Sequence, residues 1–344
     1  MNYLIKTYCF ESGLWYLAKS LGDKLRAEGH TVIYAPKVKY VLRDRGTATL
    51  RVKKYFKPKN PKDFKGEKIL KFSERKDKSE QIIRAVINHS IDTVISFETF
   101  YLGDYWPARV RSQTGVKVID VPMPEWVNWK HVKSGAHAQL FDEIWCLTKY
   151  AKNRFDNYGY KYHEKAKSKT WDFVDSSIFY PPEKREGPVT FYHAASLNAE
   201  HSTKNTDKVL EAFKRFCKEE NPKASLIVTV GADKDMVDNH KNIEYITDVQ
   251  NRKEIGIIYR RADVVLAPSQ KEGLGLNLYE AISCGCVVVT TKAPPMDEIH
   301  TKYLCEVSGY ESPKAGSIKL AQVKVEEIQK QIKQAYEDII NGRR

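Results

Sequence analysis

Residues 267–281 read Ala267-Pro268-Ser269-Gln270-Lys271-Glu272-Gly273-Leu274-Gly275-Leu276-Asn277-Leu278-Tyr279-Glu280-Ala281. Residues 264–267 are an apolar, β-prone run, 277–284 carry apolar positions at helical spacing, and 287–291 return to a β-branched run. The order strand, glycine-bearing loop, helix, strand is one unit of a helix-covered parallel sheet, which sets the fold class as α/β. Gly273 and Gly275 let backbone approach a ligand closely, and the first N–H groups of the helix attract an anion such as a diphosphate. Glu272 beside that anion would repel phosphate, but it can accept hydrogen bonds from sugar hydroxyls. Glu280, two turns into the helix, is equally suited to a polyol.

Working outward, the same alternation fills the chain. Residues 3–8, 14–28 and 31–34 predict strand, helix and strand, with Gly29 closing the helix. A helix over 79–89, strands over 93–97, 116–121 and 143–148, and a helix over 149–158 complete a first series. Turn-rich text with Pro181-Pro182 and Gly187-Pro188 predicts a boundary near Pro181. A second series then predicts strands over 189–193, 225–230, 243–246, 264–267 and 287–291, with helices over 206–219, 250–261 and 277–284. The expected domains are 1–180 and 181–322, followed by an amphipathic helix that begins at residue 323 and has an ordinary packing role.

The length of 344 residues suits two domains, and no apolar run is long enough to span a bilayer. The first ten residues lack a signal-peptide pattern, so the expected location is cytoplasmic. Six scattered cysteines fit reduced thiols, with no zinc-site spacing. The net charge is +13, and residues 37–78 hold 16 lysines and arginines against five acids, an excess of 11 positive charges. That block, read as an insertion or hairpin, includes Arg51, Lys53, Lys54, Lys57 and Lys59. It is the footprint of a polyanionic partner, nucleic acid or an anionic membrane surface.

The spacing of Glu272 and Glu280, preceded by Pro268-Ser269 and followed by Ala281 and Cys284-Gly285, resembles the donor-site signature of the retaining GT-B glycosyltransferases of family four (glycosyl transferases group 1). The likeness is strongest over 188–299. It implies two Rossmann-like domains facing each other across a cleft, Glu272 on the transferred sugar, and Glu280 on the ribose of a nucleotide. The loop Ala194-Ala195-Ser196-Leu197-Asn198-Ala199-Glu200-His201-Ser202-Thr203-Lys204-Asn205 resembles the family's phosphate loop. Lys204 matches its lysine, while Ser196 or Asn198 stands where the usual Arg would be. In the first half, Ser12-Gly13-Leu14 resembles the family's opening, with Gly13 approaching the donor phosphate. Glu125 stands near the place of an acceptor-side His.

The implied donor set is therefore Gly13, Ser196, Asn198, Lys204, Gly273, Leu274, Gly275, Leu276, Asn277 and Glu280, with Glu272 and Glu125 as catalytic candidates. His131 and His137 read as surface or structural histidines. Asp233-Lys234-Asp235 is given no metal role, and the motif requires neither metal nor cofactor beyond the nucleotide-sugar co-substrate. The resemblance implies a retaining hexosyl or pentosyl transferase. For its acceptor we expect DNA carrying a hydroxylated base; the alternatives are an anionic lipid-linked or cell-envelope saccharide at a peripheral membrane, and a non-catalytic nucleotide-sugar or nucleic-acid binding protein.

Overall fold

The computed structural model describes residues 1–7, 13–36, 67–70, 78–98, 105–195, 203–220, 222–230, 237–247, 251–312 and 318–342. The chain divides into two compact units, Met1–Phe173 and Val174–Arg344. The division precedes the Pro181 turn because Phe179 is buried in the second unit's core with Tyr192 and Tyr259.

The first unit contains β1 (Asn2–Thr7), α1 (Gly13–Ala27), β2 (Thr31–Pro36), α2 (Lys78–Asn88), β3 (Thr93–Phe97), α3 (Trp106–Thr114) and β4 (Lys117–Val121). It continues through α4 (Trp129–Lys133), α5 (Ala136–Leu140), β5 (Glu143–Cys146), α6 (Lys149–Asp156), α7 (Tyr160–His163) and β6 (Ala166–Ser168). Its sheet is wholly parallel, in the order β2-β1-β3-β4-β5-β6. Every residue of β3 is buried, as a central strand covered on both faces requires. Most of the basic block lies outside the described residues; within it, Ile69 forms a parallel bridge to Tyr34, and Arg26 pairs with Glu67 at 2.5 Å.

The second unit contains β7 (Val189–Ala194), α8 (Thr206–Glu220), β8 (Ala224–Thr229), β9 (Ile243–Ile246), α9 (Arg252–Arg261) and β10 (Val264–Ala267). After these come α10 (Leu276–Ser283), β11 (Val287–Thr291), β12 (Tyr303–Cys305), the hairpin β13 (Val307–Glu311) and β14 (Leu320–Val323), and α11 (Val325–Ile340). Its six-stranded sheet is also parallel, in the order β12-β11-β10-β7-β8-β9. The terminal helix packs rather than standing apart. Ile328, Ile332 and Ala335 of α11 join Phe213 and Phe216 of α8 in one core, and Arg215–Glu326 and Lys333–Glu220 pairs edge the contact at 2.9 and 2.6 Å. Among the described residues no helix is long and apolar enough to cross a membrane.

Candidate functional site

In the second sheet β7 and β10 lie side by side although they are not consecutive in the chain. The connections that leave them run to opposite sides, and such a switch point at the carboxyl ends of parallel strands is where open α/β sheets bind ligands. The loop after β7 carries Lys204, and the loop after β10 carries Glu272. Topology therefore brings together two motifs that stand 68 residues apart.

The two loops are fastened to each other by hydrogen bonds. The Gln270 amide donates to the Thr203 carbonyl at 2.7 Å, the Asn205 side-chain amide donates to the Pro268 carbonyl at 2.7 Å, and Gln270 Nε2 donates to Asn205 Oδ1 at 3.0 Å. Asn205 is buried and holds φ at 56°, a left-handed value for which asparagine is among the better side chains. Its carbonyl then starts α8 by accepting from the Val209 amide. Beneath this turn His193 is buried with both ring nitrogens engaged, Nδ1 on the Leu266 carbonyl at 2.7 Å and Nε2 on Thr206 Oγ1 at 2.9 Å. A carbonyl can only accept, so Nδ1 carries the proton and Thr206 donates to Nε2. Burial lowers the His193 pKa to about 4, which keeps this arrangement neutral.

On that frame Lys204 Nζ forms an ion pair with Glu272 Oε1, with the two side chains 25% and 14% exposed. Gly273, Leu274 and Gly275 are buried behind Glu272, and Leu276 and Asn277 open α10. Gly275 has φ 74°, a left-handed value that a side chain strains, so the turn into the helix favours glycine. Glu280 is nearly enclosed. Burial pushes its carboxyl up to about 7, against the pull of Arg252, whose Nη2 lies 2.6 Å from Glu280 Oε1.

The remaining candidates are distributed as follows. Gly13 is the first residue of α1 in the first unit, and Glu125 lies in a 3-10 turn, Pro124–Trp126, just after β4. Ser196, Asn198, Arg51, Lys53, Lys54, Lys57, Lys59 and the Asp233-Lys234-Asp235 triplet lie outside the described residues. His137 is structural: it is fully buried, stacked on Phe155 and Tyr162, with Nε2 at 3.4 Å from Asp120 Oδ2. Arg252, Asn205, Gln270 and His193 were not singled out from the sequence. Arg252 and Gly256 do share one helical face, a signal that could have been read.

Residues 178–339 match the family described as Glycosyl transferases group 1. No curated protein matches the sequence. Among solved structures, a glycosyltransferase from Rickettsia africae ESF-5 superimposes with TM-score 0.68 at 13% identity, covering 98% of this chain and 88% of that one. The pneumococcal O-GlcNAc transferase GtfA, solved with UDP and GlcNAc, gives 0.66 at 14% identity, covering 100% and 93%. Anabaena Alr3699/HepE, solved with UDP, gives 0.64 at 12%, covering 98% and 91%. At these identities the likeness is one of fold, two parallel six-stranded α/β units of the GT-B kind.

Proposed function

We propose, from the match of residues 178–339 to the glycosyl transferases group 1 family, that this chain is a glycosyltransferase that binds a nucleotide sugar at the β7–β10 switch point and passes the sugar, with retention, to a hydroxyl of a polyanionic acceptor. The observation that carries the reading is the meeting of Lys204 and Glu272 at adjoining strand ends, with Glu280 in the helix that follows the Glu272 loop. Lys204 and the first amides of α10 hold the diphosphate, Glu272 accepts from hydroxyls of the transferred sugar, and Glu280 accepts from the ribose. When the donor arrives, phosphate takes over Lys204 and the sugar takes over Glu272, so the ion pair between them is exchanged rather than lost.

In the transfer step the bond from the anomeric carbon to the leaving phosphate oxygen breaks as the acceptor oxygen bonds to the same face. The acceptor's proton passes to the departing diphosphate, and no protein nucleophile is needed. Stabilisation of the charge gathering on that diphosphate is the protein's main contribution. Two of the similar folds hold UDP, so UDP-sugars are the first donors to assay. Glu272→Ala is expected to lower kcat/KM by roughly 100-fold while leaving the melting temperature nearly unchanged; full activity in a folded variant would overturn the assignment.

For the acceptor, the charge excess of residues 37–78 supports DNA carrying a hydroxylated base, presented flipped or single-stranded. A supercoiled or oligonucleotide DNA with hydroxymethylated bases should accept label from a radiolabelled donor. Labelling of an anionic lipid-linked saccharide, and not of DNA, would replace this acceptor with the membrane one. Gly13 and Glu125 belong to the same proposal as donor-phosphate and acceptor-side residues, and their individual alanine variants test it by loss of transfer.

A further inference from the structure

Arg252, Gly256 and Arg260 recur every fourth residue along α9 and so share one face. That face presses on the segment carrying Ile178 and Phe179. A Cβ at Gly256 would lie 2.6 Å from the Ile178 carbonyl oxygen, and Arg260 Nη1 donates to the same oxygen at 2.6 Å. Arg252 lies over the Phe179 ring, its guanidinium carbon 4.8 Å from the centroid, and reaches Glu280 Oε1 at 2.6 Å. The Arg252 and Glu280 side chains are only 8% and 10% exposed. A cation in the first turn of a helix opposes the helix dipole, and a buried guanidinium is costly to desolvate. Its place therefore depends on the carboxylate it meets.

We propose that Arg252 is a positioning residue of the donor site, holding the Glu280 carboxylate ionised and aimed so that it accepts both hydroxyls of the donor's ribose. This inference rests on the assignment of Glu280 to the ribose. A carboxylate offers acceptors to both hydroxyls of a diol, whereas a neutral acid spends one oxygen as a donor. The other titratable groups facing Glu280 are Tyr192 from β7, Tyr259 from α9 and Cys284 at the end of α10. A phenol or a thiol cannot carry positive charge, and burial raises the pKa of all three, so they stay neutral beside Glu280. Arg252 alone among these neighbours favours the ionised form, in a position where burial otherwise lifts the carboxyl to about 7.

The test is calorimetric titration of the full chain with the tightest binder among UDP-, GDP- and ADP-glucose, whose diphosphates do not titrate between pH 6 and 9. Wild-type affinity should rise as pH passes through about 7 and then level off. In R252M the midpoint should move up by a unit or more, so that binding is roughly threefold or more weaker at pH 7.5 and recovers toward pH 9. R252K should restore most of the wild-type profile, and R252Q is the second uncharged variant should R252M not fold. Uniform weakening in the uncharged variant, with the midpoint unmoved, would overturn the role of Arg252. A folded E280Q that binds as tightly as wild type at pH 8 would instead overturn the assignment of Glu280 to the ribose.

Discussion

His193 and Glu280 lie within one unit and respond to pH in opposite senses. The folded-state pKa of His193 is depressed from its usual value of 6.5 to about 4, so the stability it contributes is present above 6.5 and lost as pH falls toward 4. Glu280 is raised, so its contribution is present below about 4.5 and lost as pH climbs through about 7. Replacing His193 with Asn should remove about 2 kcal/mol of the destabilisation between pH 7 and pH 5, read by urea unfolding at the two values. An unchanged difference would mean that His193 titrates normally. At Lys204, exchange for Met should weaken diphosphate binding by roughly 10- to 100-fold, read by calorimetry. Glu272 and Glu280 stand out in the sequence because they flank one strand-loop-helix turn, and Lys204 because its separate loop, 68 residues away, resembles a phosphate loop. The clamp of Asn205 and Gln270 and the partner of Glu280 were not, since each is a contact between loops or helices distant in the chain.

At the scale of elements, α9 shows how a single helix can serve both packing and the site. Gly256→Ala would drive a methyl into the Ile178 carbonyl and push the helix off the Phe179 segment. The expected cost is about 2 kcal/mol, or roughly 5 °C in melting temperature; an unchanged transition would show that the segment yields freely. The strands over 93–97, 264–267 and 287–291 fall where their apolar runs predict, because buried parallel strands are continuous in hydrophobicity, while 243–246 lies at the sheet edge with none of its residues buried. The helix α3 escaped notice because only Trp106, Pro107 and Val110 of its nine residues are buried and a proline sits in its first turn. β12 is only three residues long, though Tyr303 and Cys305 are buried, and β13 is largely exposed, so the pairing of β12, β13 and β14 is set by partners rather than by local pattern.

For the whole molecule, the two-unit α/β organisation was legible from alternation alone, while the strand order that creates the switch point was not, because it depends on long-range pairing. Charge is the other molecular-scale property. If DNA is the acceptor, its affinity should fall steeply with salt, and removing the charges of Arg51, Lys53, Lys54, Lys57 and Lys59 should make the log–log slope shallower by roughly four to five. An unchanged slope would place the contact elsewhere. The most direct measurement is a crystal structure of the chain with bound UDP. The diphosphate should lie about 3 Å from Lys204 Nζ at the start of α10, with the ribose hydroxyls on Glu280. Nucleotide density away from the β7 and β10 strand ends, with Lys204 still paired to Glu272, would contradict the account.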